Sequence, residues 1–259
     1  MTSTTTTLAH RLNRTVHIDA PRPVVFEFFV NPEHWASWWG SGSTIDPRPG
    51  GRASIRFPGG VEVSGEVLEV HEPERFVFTY GFAGGSPIPP GGSRVTITLE
   101  AVTGGTRLHL LHEFADEQAR DEHVQGWRFQ LSLFANAVAN HLHRGAAAVA
   151  DRWFGAWADP DPASRAAALE AIAAPDVVFR DRYSLLSGLE DLSAHITAAQ
   201  RFMPGIRLAR TGDARHCQGM VLVDWQAVDA SGAVKGTGAN VFTMNAEGRI
   251  VSATGFWNG

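Results

Sequence analysis

The sequence predicts an α+β protein of two domains, each with a curved antiparallel sheet wrapped against helices. Three observations predict it. Extended runs at 52–57, 61–70, 75–82, 93–101 and 106–114 lead into one long amphipathic helix, about 122–143. That pattern stops near Gly145, and a new helix opens at once with Trp153, Phe154 and Trp157. Helices then give way to four further extended runs at 206–213, 216–228, 233–245 and 249–257. A chain of 259 residues holds enough material for two ordinary domains and their cores.

In the first half, residues 14–20 (RTVHIDA) set Val16, Ile18 and Ala20 on one face, the alternation of a half-buried strand. Pro21 and Pro23 end it, and Pro23 fits the first turn of a helix with Val25, Phe26, Phe28 and Phe29 on its apolar face. Asn31-Pro32 breaks that helix and begins a short second one carrying Trp35, Trp38 and Trp39. The strands that follow are punctuated by Pro58-Gly59-Gly60, Glu72-Pro73-Glu74, the Gly/Pro-rich loop 84–92 and Gly104-Gly105, as in a meander. In the long helix Val124, Trp127, Leu131, Phe134 and Val138 recur at three- and four-residue steps. Such a stripe needs a large apolar partner, and the concave face of the preceding sheet is the one available.

In the second half, a helix at 147–158 presents Val149, Trp153 and Trp157 on one face and ends before Asp159-Pro160-Asp161-Pro162. An Ala-rich helix at 162–173 follows, then Pro175 before a strand at 177–180, with Asp181 at its end. Ser187-Gly188 opens a helix that runs to Phe202 and breaks at Pro204-Gly205. The turns at 229–232 and 245–248 have hairpin chemistry. The expected boundaries are a disordered lead-in at 1–11, a first domain at 12–144 and a second at 147–259, joined without a flexible linker.

Composition narrows the function. The formal charge of −5 and the scarcity of Lys leave no basic stripe for nucleic acid and no polybasic membrane patch. The single Cys217 excludes an internal disulfide, and no run approaches a signal-peptide or membrane-spanning length, so a cytoplasmic protein is expected. The loop GGSPIPPGG at 84–92 lacks the ending of a phosphate loop. His109 and His112, three apart on one strand, point to opposite faces, so no metal is expected there. His141 and His143 on the helix diverge likewise. No cofactor is expected.

The segments IDAPRPVVFEFFVNPEHWASWW, GEVLEVHEPERFVFTY, GTRLHLLHEF and GWRFQLSLFANAV give the first half a specific likeness. It resembles the bacterial proteins similar to the C-terminal domain of the Hsp90 ATPase activator (AHSA1-like), in the START-like helix-grip (SRPBCC) superfamily. The resemblance implies a curved antiparallel sheet around a long C-terminal helix with an apolar cavity between them. Trp35, Trp39, Phe78, His112, Trp127 and Leu131 are the expected ligand-binding residues.

The segments DRWFGAWADPD, APDVVFRD, SGLEDLSAHI and GTGANVFTMNAEGRIVSATGFW carry a second likeness. This half resembles the SnoaL-like and ketosteroid-isomerase branch of the NTF2-like superfamily, a cone of three helices and a bent antiparallel sheet. The resemblance places Asp181 at the family's general-base position, where a carboxylate between apolar walls can move a proton next to a carbonyl. The family's two hydrogen-bond donors fall at Trp153 and Asn240, and neither supplies the short bond of an acidic hydroxyl. Trp157, Phe179, Trp225 and Trp257 are the expected wall of this pocket.

Three functions follow. The first is binding of a small apolar molecule, a lipid, polyketide or similar aromatic, in one or both cavities. The second is a cofactor-free cyclase or isomerase with Asp181 as base. The third is a chaperone-associated interaction protein. A homodimer through the second domain is expected from the resemblance, with no nucleic-acid or membrane partner.

Overall fold

Residues 7–258, described from a computed structural model, divide between Val138 and Ala139 into two compact units. The first unit begins with β1 (His10–Ile18), α1 (Arg22–Val30) and α2 (Pro32–Trp39). It continues through β2 (Thr44–Ile45), β3 (Arg52–Arg56), β4 (Glu62–His71), β5 (Arg75–Tyr80), β6 (Ser93–Val102) and β7 (Gly105–Phe114) into α3 (Glu117–Leu142), within whose last turn and a half the dividing point falls. The seven strands form one antiparallel sheet in the order β1-β7-β6-β5-β4-β3-β2, a meander whose first strand closes beside its last.

Alternation along the strands builds the core face. Phe76, Phe78 and Tyr80 of β5, Val95, Ile97 and Leu99 of β6, and Leu108, Leu110, His112 and Phe114 of β7 are buried at two-residue steps. On α3, Trp127, Leu131, Phe134 and Val138 are buried as the helical stripe predicts. Phe134 stacks on Phe29 at 5.0 Å and meets Trp38 edge-on at 4.9 Å, which fixes α3 against α1 and α2. Such aromatic contacts are worth about 0.5–1.5 kcal/mol each beyond the area they bury. Asn31 caps α2 by accepting from the backbone N–H groups of Glu33 and His34 at 2.9 and 3.3 Å, with Pro32 in the first turn.

Two boundaries differ from expectation. The ladder to β7 starts at His10, opposite Phe114, so the expected lead-in at 1–11 loses its last two residues to a strand; its residues 1–6 lie outside the described residues. α3 starts at Glu117 and not near 122, because Asp116 accepts from the backbone N–H of Ala119 at 2.8 Å and caps a first turn too polar to show an apolar period.

The second unit contains α4 (Ala146–Ala158), α5 (Pro162–Glu170), β8 (Ala173–Arg180), β9 (Leu185–Ser187) and α6 (Leu189–Phe202). The long strands β10 (Arg207–Cys217), β11 (Met220–Val228), β12 (Val234–Met244) and β13 (Ile250–Trp257) complete it. The sheet order is β10-β11-β12-β13-β8-β9, antiparallel except where β8 runs parallel to β13. Trp153, Phe154, Leu169, Ile196, Val223 and Phe242 are among the residues of its core.

Three local details differ from the sequence reading. Pro175 lies inside β8, in the irregular stretch between the Ala173–Ile250 and Val178–Ser252 pairs, where a missing N–H costs no ladder bond. The short β9 follows it and pairs back along β8. The β10–β11 turn is the two residues Gln218 (φ 46°) and Gly219 (φ 81°), not 214–215. Positive φ at both positions suits a tight hairpin, but Gln is a weak sequence signal for it.

α5 also supplies a fully buried Arg165. Its guanidinium donates to the backbone oxygen of Asp159 at 2.8 Å, to Gln200 Oε1 at 3.3 Å and to the Thr197 hydroxyl, joining α5 to α6 and to the end of α4. Among the described residues, no helix is long and apolar enough to cross a membrane.

Candidate functional site

In the first unit a hollow of about 140 Å³ lies beside α3. Helical spacing puts His123, Trp127 and Gln130 of α3 along one wall, with Gly126 beside them. Trp39 closes α2, Tyr80 ends β5 and Phe57 follows β3, so three separate elements supply the other walls. Phe129, 65% exposed, stands at the rim.

The polar groups behind Trp127 form a closed chain. Trp127 Nε1–H donates to His112 Nδ1 at 2.9 Å, so the neutral imidazole carries its proton on Nε2. That N–H donates to Ser93 Oγ at 2.8 Å, and the Ser93 hydroxyl donates to the Tyr80 carbonyl at 2.8 Å. Burial, with the nearby His123 adding to it, holds the pKa of His112 well below its ordinary value.

The groups on the hollow itself are different. His123 Nδ1 lies 2.7 Å from the Ala119 carbonyl, which only accepts, so Nδ1 carries a proton. Burial lowers the pKa of this ring, opposed by the Ala119 bond and by Glu122, and leaves it neutral with an accepting Nε2. Burial also raises the pKa of Tyr80 and keeps its hydroxyl protonated. Gln130 spends its amide N–H on the Trp38 carbonyl, which leaves Oε1 as an acceptor. Among the described residues, the Tyr80 hydroxyl, His123 Nε2 and Gln130 Oε1 have no hydrogen-bond partner. The buried Nε1 of Trp39 has none either. The indoles of Trp35 and Trp38, by contrast, donate to Ser54 O and Phe28 O at 3.2 and 3.1 Å.

Of the residues expected here, Trp39 and Trp127 line the hollow. His112 stands one layer behind, bonded to Trp127. Trp35, Phe78 and Leu131 do not border it. They fill the core, where Phe78 meets Trp35 edge-on at 5.7 Å. Tyr80, His123 and Gln130 escaped the sequence reading. Tyr80 continues the two-residue step of Phe76 and Phe78, and His123 precedes Trp127 by one helical turn, so a signal was present for both.

In the second unit, all seven expected residues come together. Trp153, Trp157, Phe179, Asp181, Trp225, Asn240 and Trp257 line one hollow, and its volume is only about 30 Å³. Trp225 Nε1–H donates to Asn240 Oδ1 at 2.9 Å, and Trp257 Nε1–H donates to Asp181 Oδ2 at 3.3 Å. The backbone N–H of Tyr183 donates to Asp181 Oδ1 at 2.9 Å. Trp225 and Trp257 meet edge-on at 4.8 Å on the lining of this hollow. Asp181 also borders an open groove on its outer side, beside Arg180, Arg182 and Phe256.

Comparison with known proteins gives one family match and several similar structures. Residues 19–139 match the model of the family described as activator of Hsp90 ATPase homolog 1-like protein. Among solved structures, the chain is similar to a SnoaL-like family protein from Agrobacterium tumefaciens, at 25% identity over 43% of this chain and 96% of that one, with a TM-score of 0.42. It is similar to CalU16 from Micromonospora echinospora at 25% identity, 52% and 79% coverage and a TM-score of 0.42. It is also similar to the Aha1 dimer from Colwellia psychrerythraea at 17% identity, 47% and 90% coverage and a TM-score of 0.40. No curated protein matches the chain.

Proposed function

We propose that the chain binds a small apolar molecule in the hollow of its first unit. The observation that carries this reading is the volume of about 140 Å³ left between the aromatic walls of Trp39, Phe57 and Trp127. Apolar cavities of about 150 Å³ stay dry and take up a benzene-sized guest. Burying apolar surface contributes about 25 cal/mol per Å² removed from water, so such a guest gains without any charged contact. The enzyme reading has Asp181 and Asn240 side by side, yet a hollow of about 30 Å³ has room for little beyond a water until Trp257 moves. The larger groove of about 480 Å³ on the outer side of Asp181 is wide open and bordered by Arg180 and Arg182, so the more sheltered aromatic hollow of the first unit is favoured for an apolar guest.

Gly126 provides the test. It sits inside α3 on the border of the hollow, and a Cβ added there meets nothing within 4 Å. Glycine within a helix costs roughly 0.5–1 kcal/mol relative to Ala, so a larger residue is compatible with the fold. Toluene is expected to bind the full-length protein in calorimetry or ligand-observed NMR. Gly126→Phe, which fills the hollow, is expected to weaken that binding at least ~10-fold without lowering the melting temperature. Absence of toluene binding to the unaltered protein, or equal binding by Gly126→Phe, overturns the reading.

A further inference from the structure

We infer that the hollow of the first unit selects a single-ring, uncharged aromatic bearing a hydroxyl group, a phenol, over a hydrocarbon of the same size and over a single-ring aromatic acid. This rests on the binding reading above and adds the chemistry of the guest. Size sets the first limit. A volume of about 140 Å³ matches one six-membered ring seated between the aromatic walls.

Polarity sets the second limit. Of the eight residues on the hollow, none is an Asp, Glu, Lys or Arg, and the imidazole of His123 is neutral. A carboxylate or ammonium guest would be desolvated there without a counter-charge, a cost that ordinary apolar contact does not offset. A plain hydrocarbon meets the opposite difficulty. It would cover the Tyr80 hydroxyl, His123 Nε2 and Gln130 Oε1 while satisfying none of them, and each polar group so covered costs about 1–3 kcal/mol.

The tautomers set the third limit. His123 Nε2 and Gln130 Oε1 accept, and the Tyr80 hydroxyl can donate or accept. The Trp39 indole adds a donor that has no protein partner. One hydroxyl on the guest, able to donate and accept at once, complements this set. A ketone or ether accepts only and leaves both His123 and Gln130 unanswered.

The test uses the full-length protein and three single-ring probes near neutral pH: phenol, toluene of the same size, and the slightly larger benzoate. In calorimetry, phenol is expected to bind more tightly than toluene, and benzoate at least ~10-fold more weakly than phenol. Toluene binding as tightly as phenol overturns the selection. In Tyr80→Phe combined with His123→Leu, the phenol-to-toluene affinity ratio is expected to fall by ~10-fold or more, because the hydroxyl is then desolvated without partners. Retained toluene binding reports that the double variant is folded, and Tyr80→Phe alone, a nearly isosteric change, is expected to show part of the same fall. An unchanged ratio in both variants, or benzoate binding as tightly as phenol, overturns the phenol assignment and leaves the hollow a binder of apolar rings. If toluene and phenol both fail to bind the unaltered protein, the assignment and the reading beneath it fall together.

Discussion

Lowering the pH is expected to destabilise the first unit through His112, and the size of the effect follows from the chain of bonds around that ring. The imidazole is fully buried, accepts from Trp127 at Nδ1 and donates to Ser93 from Nε2. Protonation would turn the Nδ1 acceptor into a donor facing another donor. Among the described residues, no carboxylate acts on the ring. The groups around it are Phe114 at 3.8 Å, Tyr80, His123 and Trp127, while neighbouring Glu113 pairs with Arg94 and Arg11 on the other side of the sheet. The folded-state pKa therefore lies below the unfolded value of 6.5. A depressed histidine contributes its full stability above the unfolded value and loses it as the pH falls toward the folded one. With the unfolded chain alone taking up the proton, moving from pH ~7 to ~5 costs about 2 kcal/mol for this residue. His123 shifts in the same direction, so the contribution of His112 has to be isolated by a variant. His112→Gln keeps an acceptor for Trp127 and a donor for Ser93 but cannot titrate. Urea unfolding is expected to show a fall in stability between the two pH values that is steeper by about 2 kcal/mol in the parent than in the variant. Imidazole NMR signals assigned to His112 are expected not to titrate at the ordinary value. A ring that titrates at or above 6.5, or equal pH slopes in both proteins, refutes the reasoning.

Two further predictions concern the second unit. Arg165→Met leaves the carbonyl of Asp159 and the side chains of Thr197 and Gln200 without their buried donor, and is expected to lower its unfolding free energy by about 2–3 kcal/mol in urea; an unchanged midpoint contradicts the bridging role. Asn240→Leu strands the Trp225 indole and is expected to cost about 1–3 kcal/mol, whereas Asn240→Asp keeps the acceptor and costs less, so equal losses in the two variants would exclude a role for that bond.

Periodicity made most of the fold legible. The two-residue step of Phe76, Phe78 and Tyr80 and the helical stripe from Trp127 to Val138 follow directly from which side chains must leave water. What stayed hidden depends on single local conformations. The turn at Gln218-Gly219 rests on a non-glycine residue with positive φ, and the first turn of α3 rests on one cap by Asp116. The candidate site was half legible for a different reason. Aromatic residues at regular spacing announce a core, but an empty volume is what remains after distant elements have packed. Trp35 and Trp39 lie on one short helix, and only the second borders the void, because Phe78 from β5 fills the space beside the first.

The two hollows share a wall material, tryptophan, and differ in where each indole finds its hydrogen-bond partner. In the first unit Trp127 donates backward, to His112 in the layer behind it, so its ring lies along the wall and the space in front stays open. In the second unit Trp225 and Trp257 donate forward, to Asn240 and Asp181 on the lining itself, and each ring is drawn across the space it borders. Where a buried indole N–H finds a partner, the position of the acceptor orients the ring; Trp39 and Trp157, whose buried Nε1 atoms have no partner among the described residues, stand outside this pattern. The Trp257 and Trp225 bonds occupy one oxygen of the Asp181 carboxylate, the group a general base would need free, and the Asn240 oxygen, while the Asn240 amide N–H groups take no part in them. In the first unit, the hydroxyl of Tyr80, the ring nitrogen of His123 and the amide oxygen of Gln130 remain available at the border of an open volume. The unit without Asp181 is thus the one whose aromatic hollow keeps both space and unspent polar groups, with one imidazole set behind one indole.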